Sequence, residues 1–362
     1  MRSASRVADR GTIRWAVTHL CACIAGILFF AGSAAAQRPA ASPIAVQAVH
    51  EPYRFPFATR DAWLAFVAGT PGGTTAADAY RRLYSDADYR RWAAGTATTT
   101  ERIVYRSGGL AIRGLVVRPR RSGPHPVLIF NHGGVGQWGR IVLLDILEMN
   151  RLAERGYVVL ASTFRGEGGS EGRSDMGGGD IDDALALIDV AAGLPDADTT
   201  RVGMWGLSRG GLVTYGALAK SRRIAAAVIE GGPTDLVHAA RRAEFDRHVY
   251  PDVMSGYADD KDGILARRSP ITWAERLSPD AAILILHGGD DPRVEPGDAL
   301  RMASALQRLK RSYRLKIYEG GGHDLIADLA DVRGEMDRWF DRYVRDRVPP
   351  PANAAVPLKD ES

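Results

Sequence analysis

The 362-residue sequence predicts an α/β fold: a doubly wound, mostly parallel sheet with a helical insertion. Three observations lead to it. From Glu101 onward, apolar runs of strand length alternate with stretches of helical spacing, as strands joined by helical crossovers do. Runs such as 127–130 and 157–160 are apolar throughout, which suits strands covered on both faces. Several of these runs lead straight into glycine-rich loops, at the strand ends where an open α/β sheet gathers its functional residues.

Taken in order, the chain begins with Arg2, Arg6, Arg10 and Arg14 ahead of an apolar run over 15–30, followed by Ala34 and Ala36 before Gln37. A basic head, an apolar middle and an A-x-A site describe a secretory signal peptide at 1–36, removed on export to the periplasm or the medium. The alternative is an uncleaved anchor. Cys21 and Cys23 lie early in the apolar run, which argues against lipid attachment, and they are the only 2 cysteines. The exported chain would therefore hold no disulfide, thiol nucleophile or thiolate metal site. Removal of the leader also takes four arginines and Asp9, so the formal charge of +4 falls to near balance. That gives nucleic-acid binding no support, and no membrane contact is expected after signal removal.

Residues 37–100 read as a linker followed by a helical extension, with helices over 60–67 and 76–93. Their aromatics (Trp63, Phe66, Tyr80, Tyr84, Tyr89, Trp92) suit packing against the main domain better than a cofactor box. The main domain, 101–345, opens with a hairpin of 102–105 and 111–117 around Ser107-Gly108-Gly109. Strand 127–130, a helix over 141–155 stopped by Gly156, and strand 157–160 follow. A helix capped by Asp180 runs to about Ala192. Next come a strand ending at Gly206, a helix over 212–220 and a strand over 224–229. Residues 233–276 break the rhythm with mixed charge and no strand pattern, and read as a helical cap over the site. Strand 282–286, helix 297–310 and strand 313–318 resume it. The last helix repeats apolar residues at three-four spacing from Leu325 to Tyr343. The Pro-rich tail, 346–362, is expected to be disordered.

The chemistry centres on Gly206-Leu207-Ser208-Arg209-Gly210, a G-x-S-x-G pattern between a strand and a helix. So sharp a turn strains its central residue and excludes a Cβ two positions away on either side; Gly206 and Gly210 meet that demand. Ser208 would stand over a helix N-terminus, with the Arg209 N–H facing any oxyanion. The same five residues also fit an ordinary glycine-rich turn, so partners decide. The loop Asn131-His132-Gly133-Gly134 can bring a second N–H, from Gly133 or Gly134, to a carbonyl oxygen, with His132 shaping the loop. The loop after 282–286 offers two carboxylates, Asp290 and Asp291, either able to orient an imidazole. The loop Gly320-Gly321-Gly322-His323 supplies that imidazole. Ser, Asp, His is also the chain order such a fold uses. Asp180, Asp182 and Asp183 resemble a cation cluster, but a capped helix start accounts for them, and no metal or organic cofactor is expected.

These motifs together make 101–345 resemble an α/β-hydrolase of the prolyl oligopeptidase family, with dienelactone-hydrolase-like esterases as close relatives. The matching pieces are His132-Gly133-Gly134, Arg165-Gly166-Glu167-Gly168-Gly169, Gly206 to Gly211, Arg268-Ser269-Pro270-Ile271, His287-Gly288-x-x-Asp291-x-x-Val294 and Gly322-His323. The resemblance implies an α/β-hydrolase fold and puts the catalytic acid on Asp291, leaving Asp290 in a variable position. It implies an oxyanion N–H at Gly134 or Gly133, and a structural Arg165 paired with a nearby acid. Large peptidases of the family carry a propeller that screens substrates, and this sequence has none, so the resemblance implies hydrolase chemistry more firmly than peptidase activity.

The expected function is that of an exported serine hydrolase acting on a small ester or a short peptide. Ser208 attacks, His323 carries the proton, Asp291 orients His323, and water clears the acyl-enzyme. Within that class, a carboxylesterase competes with an aminopeptidase or dipeptidase. A peptidase would need an anchor for a peptide terminus, for which Glu230, Glu244 and Asp246 are the candidates. The rival class is an inactive binding protein on the same fold, against which the intact Ser, Asp and His argue. Oligomeric state stays open.

Overall fold

The structure, a computed structural model, describes residues 49–136, 139–239 and 241–351. The expected leader, most of the linker and the end of the tail lie outside the described residues. The strands are β1 (Val49–Pro52), β2 (Thr98–Ser107), β3 (Leu110–Pro119), β4 (His125–Asn131), β5 (Val158–Ser162), β6 (Ala197–Leu207), β7 (Ile224–Glu230), β8 (Ala282–Gly288) and β9 (Tyr313–Tyr318). They form one sheet in the order β1-β2-β3-β5-β4-β6-β7-β8-β9. β1, β2, β3 and β5 pair antiparallel, and every pairing from β5/β4 to β8/β9 is parallel.

The helices are α1 (Arg60–Ala68), α2 (Gly73–Leu83), α3 (Asp86–Ala93), α4 (Leu143–Glu154), α5 (Gly179–Ala192), α6 (Arg209–Lys220), α7 (Arg242–His248), α8 (Tyr250–Val253), α9 (Lys261–Arg267), α10 (Pro296–Arg308) and α11 (Leu329–Phe340). Alternate residues of each central strand face opposite layers. Leu128, Phe130, Trp205 and Val228 meet α4, α11 and the extension helices, among them Leu147, Met336, Phe340 and Trp63. Ile129, Leu160, Met204 and Ile285 meet α5, α6 and α10 through Leu187, Val213 and Met302. Both faces are covered, which is why the strand sequences are apolar throughout.

Several boundaries differ from expectation. The helix expected over 76–93 is two helices, because Ser85 caps α3 in a reciprocal capping box with Asp88. Residues 49 and 50, at the expected linker's end, belong to β1 and pair with β2. Asp180 is not the cap of α5; Gly178 is, because the Asp180 carboxylate accepts the Gly177 and Gly178 N–H groups and binds Arg209. The chain also stays held past 346: a π-helical turn, Asp341–Arg345, follows α11, and the Val348 N–H reaches the Arg342 carbonyl at 3.0 Å.

The 233–276 segment is helical, built from α7, α8, α9 and a 3-10 stretch, Pro270–Arg276. Its Leu236, Tyr250, Val253, Met254, Tyr257 and Leu265 form a separate apolar cluster with Leu212 of α6 and Met176. Arg268 ties it down, donating to the Met176 carbonyl and to Asp175, each at 2.5 Å. The cap thus sits on α6, the helix that follows Ser208.

Candidate active site

At the β6–α6 turn Ser208 has φ 55 and ψ −121, a strained backbone conformation costing roughly 1–3 kcal/mol. Its surroundings impose it. A Cβ on Gly206 would overlap the Gly210 carbonyl, and one on Gly210 would overlap the Asn131 carbonyl. Thr214 Oγ1 donates to the Gly210 carbonyl at 2.8 Å and accepts from Asn131 Nδ2 at 2.9 Å, bracing the turn against the end of β4. The Ser208 N–H donates to the Glu230 carbonyl at 2.8 Å.

One residue on, the same β7 end meets the imidazole. Gly231 has φ 54, and a Cβ there would stand 3.3 Å from His323 Cε1 and Nδ1 and 3.4 Å from Asp291 Oδ2. The Glu230–Gly231 turn therefore borders Ser208 on one side and the His323–Asp291 pair on the other. His323 Nδ1 donates to Asp291 Oδ2 at 2.7 Å. Asp291 Oδ1 accepts the Arg293 and Val294 N–H groups at 2.8 and 3.0 Å, which fixes the carboxylate plane. Burial pushes the Asp291 carboxyl up, but hydrogen bonds from His287 and His323 outweigh it and hold the group well below the usual carboxylate range. Asp290 is exposed, and its N–H closes onto the Gly321 carbonyl at 2.9 Å. Of the two carboxylates open to choice from spacing, Asp291 carries the imidazole bond.

The loop after β4 lies against the same serine. A Cβ on Gly133 would stand 3.3 Å from Ser208 Cβ. His132 is buried, its Nδ1 meets the Gly133 carbonyl at 2.8 Å, and its ring tilts onto Phe164 with centroids 4.6 Å apart. Burial pushes its pKa down to about 4, so it is neutral at neutral pH and shapes the loop without charge. Gly134, at φ 76, turns its carbonyl to Arg209 Nη1 at 3.0 Å.

Sequence reasoning gave Arg209 only a backbone N–H. Its guanidinium is 2% exposed and pairs with Glu167 at 2.6 Å and Asp180 at 3.0 Å. Nothing in the local sequence joins positions 167, 180 and 209; only the convergence of the loop after β5 with the first turns of α5 and α6 does. Arg165 pairs with the buried Asp183 through Nε and Nη2 at 3.0 and 2.8 Å, and Lys220 takes Asp182, so these acids serve ion pairs. The three candidate terminus anchors are also engaged or neutral. Glu244 is forked by Arg241, and Asp246 receives the Tyr257 hydroxyl. Glu230 is buried, and burial first, then nearby Glu148 and Asp145, push its carboxyl up to about 8.

The profile of the prolyl oligopeptidase family matches residues 144–347. The uncharacterized peptidase YtmA of Bacillus subtilis (strain 168) is 25% identical over 222 residues, covering 61% of this chain and 84% of that protein. The Pyrococcus horikoshii acylaminoacyl peptidase superposes with a TM-score of 0.60 at 22% identity, over 72% of this chain and 44% of that one. An acetyl xylan esterase from Paenibacillus sp. R4 gives 0.53 at 19% identity, over 68% of this chain and 84% of that one. The chain thus spans most of the length of YtmA and of the esterase, and less than half of the acylaminoacyl peptidase.

Proposed function

Because this chain belongs to the prolyl oligopeptidase family of serine hydrolases, we propose that it is an exported enzyme cleaving small esters through Ser208, His323 and Asp291. The observation that carries the reading is the 2.7 Å bond from His323 Nδ1 to an ionised Asp291, set against the same Glu230–Gly231 turn that holds the strained Ser208. With Nδ1 committed to the carboxylate, Nε2 is the nitrogen left to take the serine proton. Ser208 Oγ attacks the carbonyl carbon, and the N–H groups of Arg209 and of Gly134 or Gly133 hold the oxyanion. His323 then protonates the leaving oxygen, and water repeats the attack on the acyl-enzyme.

The esterase reading is favoured over the peptidase reading because Glu230, Glu244 and Asp246 are buried neutral or already paired, which leaves a peptide's amino terminus without a free carboxylate partner among them. The name of the relative YtmA favours the second reading, a short-peptide peptidase. A fluorophosphonate probe should label the protein and fail to label Ser208→Ala. Labelling that persists in that variant, or none in the wild type, sinks the hydrolase reading. Asp291→Asn should lower kcat by about 10⁴, while Asp290→Asn leaves it intact. A panel of nitrophenyl esters of rising chain length beside aminoacyl nitroanilides decides the substrate: cleavage of anilides alone overturns the esterase preference.

A further inference from the structure

The oxyanion loop is held at consecutive peptides by three buried side chains. In a trans peptide the carbonyl and the following N–H point in opposite directions. The Gly133 carbonyl meets His132 Nδ1 at 2.8 Å, so the Gly134 N–H points away from the imidazole. The Gly134 carbonyl accepts from Arg209 Nη1 at 3.0 Å, so the Val135 N–H points away from the guanidinium. The Gly136 N–H donates to Glu167 Oε1 at 2.9 Å, the same oxygen that Arg209 Nη1 reaches at 2.6 Å. Ser174 Oγ donates to that oxygen as well, at 2.5 Å. On its other edge the guanidinium sends Nε and Nη2 to Asp180 Oδ2 at 3.1 and 3.0 Å. Its flat face lies 5.0 Å from the Phe164 centroid, the ring that also carries His132.

Arg209 is thus joined covalently to the proposed nucleophile and non-covalently to the loop that supplies the second oxyanion donor. We propose that the Arg209 side chain, clamped by Glu167 and Asp180, is a positioning residue: it sets the distance and direction of the Gly134-side donors relative to Ser208. The inference rests on the hydrolase reading above and adds a role to a side chain that reading leaves unused. Two carboxylates around one guanidinium are far more than a turn needs for stability, since each buried ion costs several kcal/mol to desolvate. What the arrangement supplies is direction. An arginine fork serves Asp180, Glu167 and the Gly134 carbonyl at once, and a lysine ammonium at the same place has no such fixed geometry.

The test is Arg209→Lys, assayed with nitrophenyl acetate and with a boronic acid that forms a tetrahedral adduct on Ser208. A donor displaced by about 1 Å costs on the order of 10² in rate, so kcat should fall about 10²-fold with little change in KM. Boronate affinity should fall by the same factor, because only the tetrahedral state uses the donors. Thermal melting reports whether the variant folds. A folded Arg209→Lys with wild-type kcat overturns the proposal, and so does a kcat loss that boronate affinity does not follow. If Arg209→Lys does not fold, Glu167→Gln keeps the volume and the acceptor oxygen but removes the charge that clamps the guanidinium. It should lose kcat and boronate affinity together, by about tenfold; unchanged values overturn the proposal. Fluorophosphonate labelling of the wild type separates the two readings. Failure to label sinks both, whereas normal labelling with an indifferent Arg209→Lys sinks only this one.

Discussion

Glu230 contributes to the site through its backbone, and its side chain has a separate consequence. Its carbonyl holds the Ser208 N–H, while its buried carboxyl is pushed up to about 8. The unfolded chain ionises this group near 4.3. Between that value and about 8 the unfolded state has released a proton that the folded state keeps, so the group makes stability fall as pH rises through the window. Below the window it contributes no such loss. Glu230→Gln removes the titration, and its melting-temperature advantage over wild type should widen from pH 5 to pH 8; an equal difference at both values shows that Glu230 does not titrate there. At this scale Ser208, Asp291 and His323 were legible because each sits in a glycine-rich loop after an apolar strand. Glu167, Asp180 and the Arg209 guanidinium were not, because an ion pair between residues 42 and 29 positions apart leaves no local pattern. Nor did the sequence mark Glu230 as a buried acid, since burial at the end of β7 depends on elements distant in sequence, such as α4, whose Glu148 and Asp145 lie near it.

Among elements, α7, α8 and α9 of the cap rest on a small apolar cluster of their own, whereas its 3-10 stretch joins the main core through Ala274. Leu265 is fully buried in the small cluster with Leu212, whereas Leu284 of β8 lies in the core beneath α11. Truncating either leucine to alanine removes burial worth about 2–5 kcal/mol. The loss at Leu265 should be local, because α7, α8 and α9 can loosen without opening the sheet. Leu265→Ala should speed limited proteolysis within 233–276 and lower the melting temperature less than Leu284→Ala does. Equal shifts with no change in proteolysis would show the cap to be one cooperative unit with the core. The alternation of strands and helices was readable because composition and period carry it. Helix ends were less so. Ser85 splits an otherwise continuous helical pattern, and Asp180 is drawn from its capping role by Arg209.

The whole molecule is a covered sheet with its extension wrapped on the face opposite α6. Trp63 stacks on Tyr80 with centroids 5.5 Å apart, and Arg333 of α11 lies 4.3 Å from the Tyr84 ring, so the start and the end of the described chain share one core. Trp63→Ala should cost about 3–5 kcal/mol and leave kcat on nitrophenyl acetate unchanged at 25 °C, since the Trp63 ring packs on Tyr80 and Tyr84 within the extension. Loss of activity in a folded variant would show that the extension reaches the site. The sheet's two flanks have one more consequence. β1 is 4 residues long, fully exposed, and closes on Pro52, which has no N–H to offer. At the other flank β9 carries Arg314 and Lys316, whose charges are matched by Glu335 and Asp331 of α11. A stray extended chain arriving at either border meets a missing donor or a charge to be stripped of water. Both borders are thereby guarded against ribbon-like clumping while the protein remains folded.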